Sequence, residues 1–136
     1  VAPAPEQESY KNVRAREICE MAADFDLSQH CELLLAHLLT ENGALAEDRH
    51  GDHGCSIGMH QWNFCIHEGM KVEKWLQLHP EWADWRYQVG HYLGEIRRRE
   101  QKYNSIWYAI RSWNPLMEGY TERVGSKINL AKSLLR

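Results

Sequence analysis

The strongest constraint on the fold is the run Cys31-Glu32-Leu33-Leu34-Leu35-Ala36-His37-Leu38-Leu39, which reaches Thr40 and Glu41 and then meets a polar, glycine-bearing stretch. Cys31, Leu34, Leu35, Leu38 and Leu39 recur three and four residues apart, as on one face of a helix. Leu33 widens the stripe, so this helix is expected to be central and buried around much of its circumference. Asp26 or Ser28 is placed to cap it by accepting its free amide protons. Glu41 therefore stands where an apolar helix gives way to a loop. Partial desolvation there raises a carboxyl pKa, the condition for a general acid working near neutral pH.

The remaining periodicity is also helical. Residues 1–10 read as a flexible N-terminal segment with no basic leader or apolar signal region, compatible with processing. Val13, Ile18, Met21 and Ala22 support a helix from Asn12 to Ala23. Residues 42–56, with Gly43, Gly51 and Gly54 among Asn, Asp and His, read as a loop with room for a short irregular hairpin after the leucine-rich helix. A helix is expected from Ile57 or Gly58 through Gln61 and Trp62, and a short one over Lys71 to Leu78. His79-Pro80-Glu81 starts another, because proline suits a first helical turn. Trp82, Trp85, Val89, Tyr92, Leu93 and Ile96 mark its buried face, and Gly90 and Gly94 suggest close helix packing. A helix from Ser105 is broken at Asn114-Pro115. Tyr120, Val124, Ile128 and Leu134 or Leu135 carry the last helix. The expected class is all-α, with residues 11–136 forming the folded domain.

Composition narrows the function. The net charge of -3 lacks the positive excess that phosphate contacts require, so no nucleic-acid partner is expected. Arg97-Arg98-Arg99 lies between Glu95 and Glu100 and reads as a solvated helix end, with local anion contact as the lesser reading. No apolar stretch approaches membrane-spanning length. Trp and Tyr (6 each) outnumber Phe (2), which suits both core rings with polar tips and a sugar groove. Cys19, Cys31, Cys55 and Cys65 allow three pairings, of which Cys19–Cys31 and Cys55–Cys65 are the simplest. Buried free thiols in a cytosolic protein fit equally well. His50, His53, His60 and His67 with Cys55 and Cys65 match no usual zinc spacing, so neither metal nor cofactor is expected.

The segments Glu41-Asn42-Gly43, Gly51-Asp52-His53-Gly54 and Gly58-Met59-His60-Gln61 occur in that order. Downstream stand Gly90-His91-Tyr92-Leu93, Ser112-Trp113-Asn114-Pro115 and Tyr120-Thr121-Glu122-Arg123-Val124. Together they resemble the goose-type lysozyme and lytic transglycosylase (SLT-like) superfamily, over most of residues 30–128. The resemblance implies a lysozyme-like helical domain with Glu41 as catalytic acid and Asp52 as the carboxylate that positions water. It implies substrate contacts from Ser56, Gln61, Trp62, Asn63, Tyr92, Trp113 and Asn114. Ser56 also reads as the cap of the helix expected from Ile57, and Tyr120 as a packing residue with a satisfied hydroxyl. Asn63 replaces the second aspartate usual in the goose-type branch, which leaves water activation to Asp52. Proline replaces glycine after Asn114 and stiffens that loop.

The implied activity is cleavage of the β-1,4 bond between N-acetylmuramic acid and N-acetylglucosamine in peptidoglycan by inverting hydrolysis. Transglycosylation to 1,6-anhydromuramic ends, chitin cleavage and non-catalytic saccharide binding remain as alternatives. The implied protein is a monomer working outside the cell, in the periplasm or with a phage, alone or as one module of a larger chain.

Overall fold

The structure, a computed structural model, describes residues 9–136. Residues 1–8 of the expected flexible segment lie outside that range, whereas Ser9 caps the first helix and Tyr10 opens it. The Ser9 hydroxyl accepts the Asn12 amide at 3.4 Å, and α1 runs Tyr10–Ala23. The leucine run forms α2, Cys31–Glu41, in which every residue from Leu33 to Leu39 is buried, His37 included. Neither Asp26 nor Ser28 caps it. The chain enters α2 through a 3-10 turn, Ser28–His30, and no side chain caps either element. A Cys19–Cys31 disulfide ties α1 to the start of α2.

The segment after α2 corrects the expected helix at Ile57–Trp62. His50–Gly51 (β1), Ser56–Ile57 (β2) and Trp62–Asn63 (β3) form an antiparallel meander in the order β1-β2-β3. His50 pairs with Ile57, Gly51 with Ser56, Ser56 with Asn63 and Ile57 with Trp62. A right-handed helix is excluded because Gly58 (φ 92°) and Gln61 (φ 50°) both take left-handed backbone. At Gly58 a β-carbon would also lie 2.2 Å from Gln88 Oε1. That glutamine is buried, accepts the Met59 amide at 2.8 Å and donates to the Trp82 carbonyl at 2.7 Å. Asn42, also buried, donates to the Ala46 and Gly58 carbonyls at 2.8 and 2.9 Å. Two amide side chains thus peg the meander to the helices on either side of it.

Asn63 caps the short α3, Phe64–His67, by accepting the Ile66 amide at 3.0 Å, and a Cys55–Cys65 disulfide closes this lobe. The helix α4 spans Val72–Leu78. The proline signal at 80 opens only a 3-10 turn, Pro80–Ala83; the Asp84 carboxylate then caps α5, Trp85–Tyr103. Left-handed Asn104 ends α5, Ser105 caps α6, Ile106–Arg111, and the expected last helix divides into α7, Tyr120–Gly125, and α8, Ile128–Leu134. Gly90 and Gly94 do not mark close packing. A β-carbon at Gly90 would meet nothing within 4 Å, and at Gly94 only Phe25 at an ordinary 3.6 Å.

The larger apolar cluster joins α1, α2, α5, α7 and α8, with Ile18, Leu34, Leu38, Tyr92, Leu93 and Val124 among its members. A smaller one, Ile57, Trp62, Phe64, Val72 and Trp82, sits beneath the meander, and Trp113 packs against both. The result is the predominantly helical fold expected, with the short hairpin after α2 present as β1–β2 and extended by β3 into one small antiparallel sheet. No helix of the described residues is long and apolar enough to cross a membrane.

Candidate functional site

A cleft of about 280 Å3 opens where the two clusters meet. Its walls are Glu41 from α2, Asp52, Gln61, Trp62 and Asn63 from the meander, Ile66 and His67 from α3, Arg99 from α5, and Trp113 and Asn114 beyond α6. Seven residues expected at the site thus come together: Glu41, Asp52, Gln61, Trp62, Asn63, Trp113 and Asn114. Ser56 and Tyr92 do not line the cleft. Both are fully buried, which removes them as direct contacts and gives them supporting positions.

Glu41 is the last residue of α2 and mostly enclosed by the core. Burial raises its pKa above the ordinary carboxyl value; the hydrogen bond from Tyr120 opposes this, the Asp52 charge adds to it and Arg123 opposes it. Desolvation wins, so the protonated acid persists to higher pH than on a surface glutamate. The Tyr120 hydroxyl donates to Glu41 Oε1, so this residue does more than pack.

Asp52 enters the cleft from a strained turn. Asp52 (φ 50°), His53 (φ 55°) and Gly54 (φ 87°) are consecutive left-handed residues, and only the third is a glycine. Such backbone costs roughly 1–3 kcal/mol per non-glycine residue and persists only where the surroundings impose it. Here the surroundings are β1 and β2 on either side and the Cys55–Cys65 bridge. The Ser56 hydroxyl donates to Asp52 Oδ2 at 2.6 Å, fixing the carboxylate while leaving Oδ1 outside that bond. Ser56 is therefore a strand residue that orients Asp52, not a helix cap.

The other walls are set by local chemistry. Gln61 donates to the Arg49 and Gly58 carbonyls at 2.8 and 3.0 Å, closing the β2–β3 turn. Trp62 stacks on His67 at 3.9 Å and is only 7% exposed, so it offers an edge to the cleft. Trp113 meets His37 edge-on at 5.2 Å and carries the Arg99 guanidinium 4.6 Å from its ring centre. Arg99 also bonds Glu95 at 2.9 Å and lies 3.3 Å from the Ser112 hydroxyl. The arginine run is thus divided: Arg97 and Arg98 pair with Glu100 and Glu95, and Arg99 turns into the cleft wall.

Sequence reading gives His37 no role and reads Arg99 only as part of a solvated arginine run. His37 did carry a signal, as the one polar side chain amid the leucines, four residues before Glu41 and so on its face of the helix. Arg99 carried none, since its neighbours look identical in sequence. Among the described residues no group of three or more His, Cys, Asp or Glu side chains is arranged to hold a metal ion. The four histidines of the 50–67 segment are scattered: His50, His53 and His67 are exposed, whereas His60 is buried against His91 at 3.0 Å. No protein-family model matches the chain, and no curated protein or solved structure matches it significantly.

Proposed function

We propose that the protein is a glycosidase of β-1,4-linked amino-sugar polymers, acting on peptidoglycan between N-acetylmuramic acid and N-acetylglucosamine. The observation that carries this reading is Glu41, an acid with raised pKa on a cleft whose other carboxylate is Asp52. Protonated Glu41 donates to the glycosidic oxygen, and an oxocarbenium-like centre develops at the sugar carbon. Asp52, oriented by Ser56, holds a water on the opposite face and accepts its proton as the bond forms. Inversion follows. Trp62 and Trp113 supply ring edges and faces to the sugars; Gln61, Asn63 and Asn114 supply amides. The motif order that resembles goose-type lysozymes supports the same roles. The disulfides Cys19–Cys31 and Cys55–Cys65 suit a protein that works in an oxidising compartment, outside the cell or in the periplasm.

One observation favours a second product. Asn63 is an amide whose side-chain oxygen caps α3, so Asp52 is the one carboxylate besides Glu41 among the residues lining the cleft. Where no water is held, Glu41 acts as acid and then base, and the muramic 6-hydroxyl closes on the anomeric carbon. Mass spectrometry of digested peptidoglycan distinguishes the two. Reducing muramic ends support hydrolysis, and 1,6-anhydro ends mean transglycosylation. Turnover of chitin oligomers but not peptidoglycan moves the substrate to N-acetylglucosamine polymers. Binding with no product from either polymer refutes the enzyme.

A further inference from the structure

Behind Glu41 lies a run of buried groups that the scheme above leaves unused. His37 is completely buried, with Nδ1 2.8 Å from the Tyr92 hydroxyl and Nε2 2.9 Å from the Tyr120 hydroxyl. The Tyr120 hydroxyl in turn reaches Glu41 Oε1, and the Tyr92 hydroxyl has the Leu34 carbonyl at 3.3 Å as a second acceptor. Three elements, α2, α5 and α7, each contribute to the run. Glu41 Oε2 takes no part in the run, and Glu41 itself lines the cleft.

The directions of these bonds are not independent. Each hydroxyl has one proton to give, and a neutral imidazole has one N–H. If Tyr120 donates to Glu41, its oxygen accepts from His37 Nε2–H, and bare Nδ1 accepts from Tyr92. If Glu41 carried its proton on Oε1 and donated to Tyr120, every bond would reverse, and Tyr92 would have to end the chain on Leu34. That last bond is the longest, so the first direction keeps the better contacts. Both directions require a neutral imidazole, and burial holds His37 down to about 3. The charged groups that act on this region are Asp52 and Arg123 on Glu41, and Arg99 of α5 on His37.

We propose that Tyr92, His37 and Tyr120 are positioning residues whose one-directional hydrogen-bond chain keeps the transferable proton of Glu41 on Oε2, facing the substrate. The inference rests on the general-acid reading of Glu41 and assigns the residues that aim its proton. A glutamine at position 37 can imitate the pattern, with its amide oxygen accepting from Tyr92 and its amide N–H donating to Tyr120. Leucine can do neither.

The test reads the chain without substrate. Long-range proton–nitrogen spectra of the histidines should show His37 as the neutral Nε2–H tautomer on both sides of the Glu41 titration. Carboxyl carbon NMR should show the Glu41 midpoint rising by about one pH unit in Tyr120→Phe, since a hydrogen bond to the carboxylate is lost. It should rise measurably in His37→Leu and return towards the wild-type value in His37→Gln. In wall-cleavage assays His37→Leu should lower kcat about tenfold with KM little changed, and His37→Gln should recover most of it. An Nδ1–H tautomer in the wild-type protein, or a Glu41 midpoint that His37→Leu leaves unmoved, overturns the chain. Either result with cleavage intact leaves the glycosidase reading standing. Conversely, a chain that behaves as described in a protein that Glu41→Gln leaves fully active removes the general acid, and with it the purpose of the chain.

Discussion

Acid should unfold this protein through His37. Its imidazole is lowered from 6.5 to about 3, chiefly by complete burial. Between those values the unfolded chain binds a proton that the native chain refuses, so native stability falls as pH falls. The contribution is whole above pH 6.5 and gone below the folded value. At about 1.4 kcal/mol per pH unit it amounts to at most about 5 kcal/mol, comparable with the whole stability of a small domain. By pH 4.5 roughly half of it has been lost. Burial also lowers His60 and His91, which act in the same direction. Raised Glu41 acts the other way, adding stability as it protonates. The His37→Gln variant isolates the one group, because it keeps a donor and an acceptor but does not titrate. Urea midpoints measured from about pH 7 to pH 4 should fall more steeply for the wild-type protein than for the variant, with the difference opening below about pH 6.5. Parallel curves would refute the argument, since they would mean that His37 takes its proton as readily in the native state as in the unfolded one.

Other perturbations have equally definite outcomes. Gly58→Ala should cost about 3 kcal/mol or more, because the added carbon meets the Gln88 amide at a left-handed position; thermal melting measures it. Reducing both disulfides should remove about 3 kcal/mol for each closed loop, seen as a drop in Tm, with separations of 12 and 10 residues giving nearly equal shares. Glu41→Gln should raise stability at alkaline pH, where the native state pays to keep the buried carboxylate ionised, and leave it unchanged at acid pH, as pH-dependent urea midpoints will show. Asp52→Asn should lower kcat for hydrolysis about a hundredfold, or divert the product to 1,6-anhydro ends, as mass spectrometry distinguishes.

What the sequence could and could not disclose has physical reasons. The leucine run made α2 readable because its periodicity covers eleven residues and ends in a change of composition. The short hairpin expected after α2 is the β1–β2 pair, whereas β3 had no signal, because strands of two residues are too short for alternation to register. Ile57-Gly58-Met59 reads as a helix start, yet the left-handed backbone at Gly58 and Gln61 turns the chain back on itself. The final helix divided at Ser126-Lys127, where a turn interrupts an otherwise continuous apolar spacing. At the cleft, the residues legible in the sequence were those chosen by side-chain type: two carboxylates, three amides and two indoles, which line it together. Missed were groups whose task depends on distance. Tyr92 and Ser56 were expected at the surface of the groove and instead support it from behind. His37 meets its two tyrosines across 55 and 83 residues of chain, contacts that no local pattern encodes.

The central claim is that Glu41 delivers the proton that breaks a glycosidic bond. Its most direct test is to digest purified peptidoglycan with the wild-type protein and with Glu41→Gln, and to identify the soluble muropeptides by mass spectrometry. The mechanism predicts disaccharide muropeptides from the wild-type protein and a loss of at least about a hundredfold in the variant, with its fold and binding to the polymer retained. Equal yields from the two proteins would contradict it.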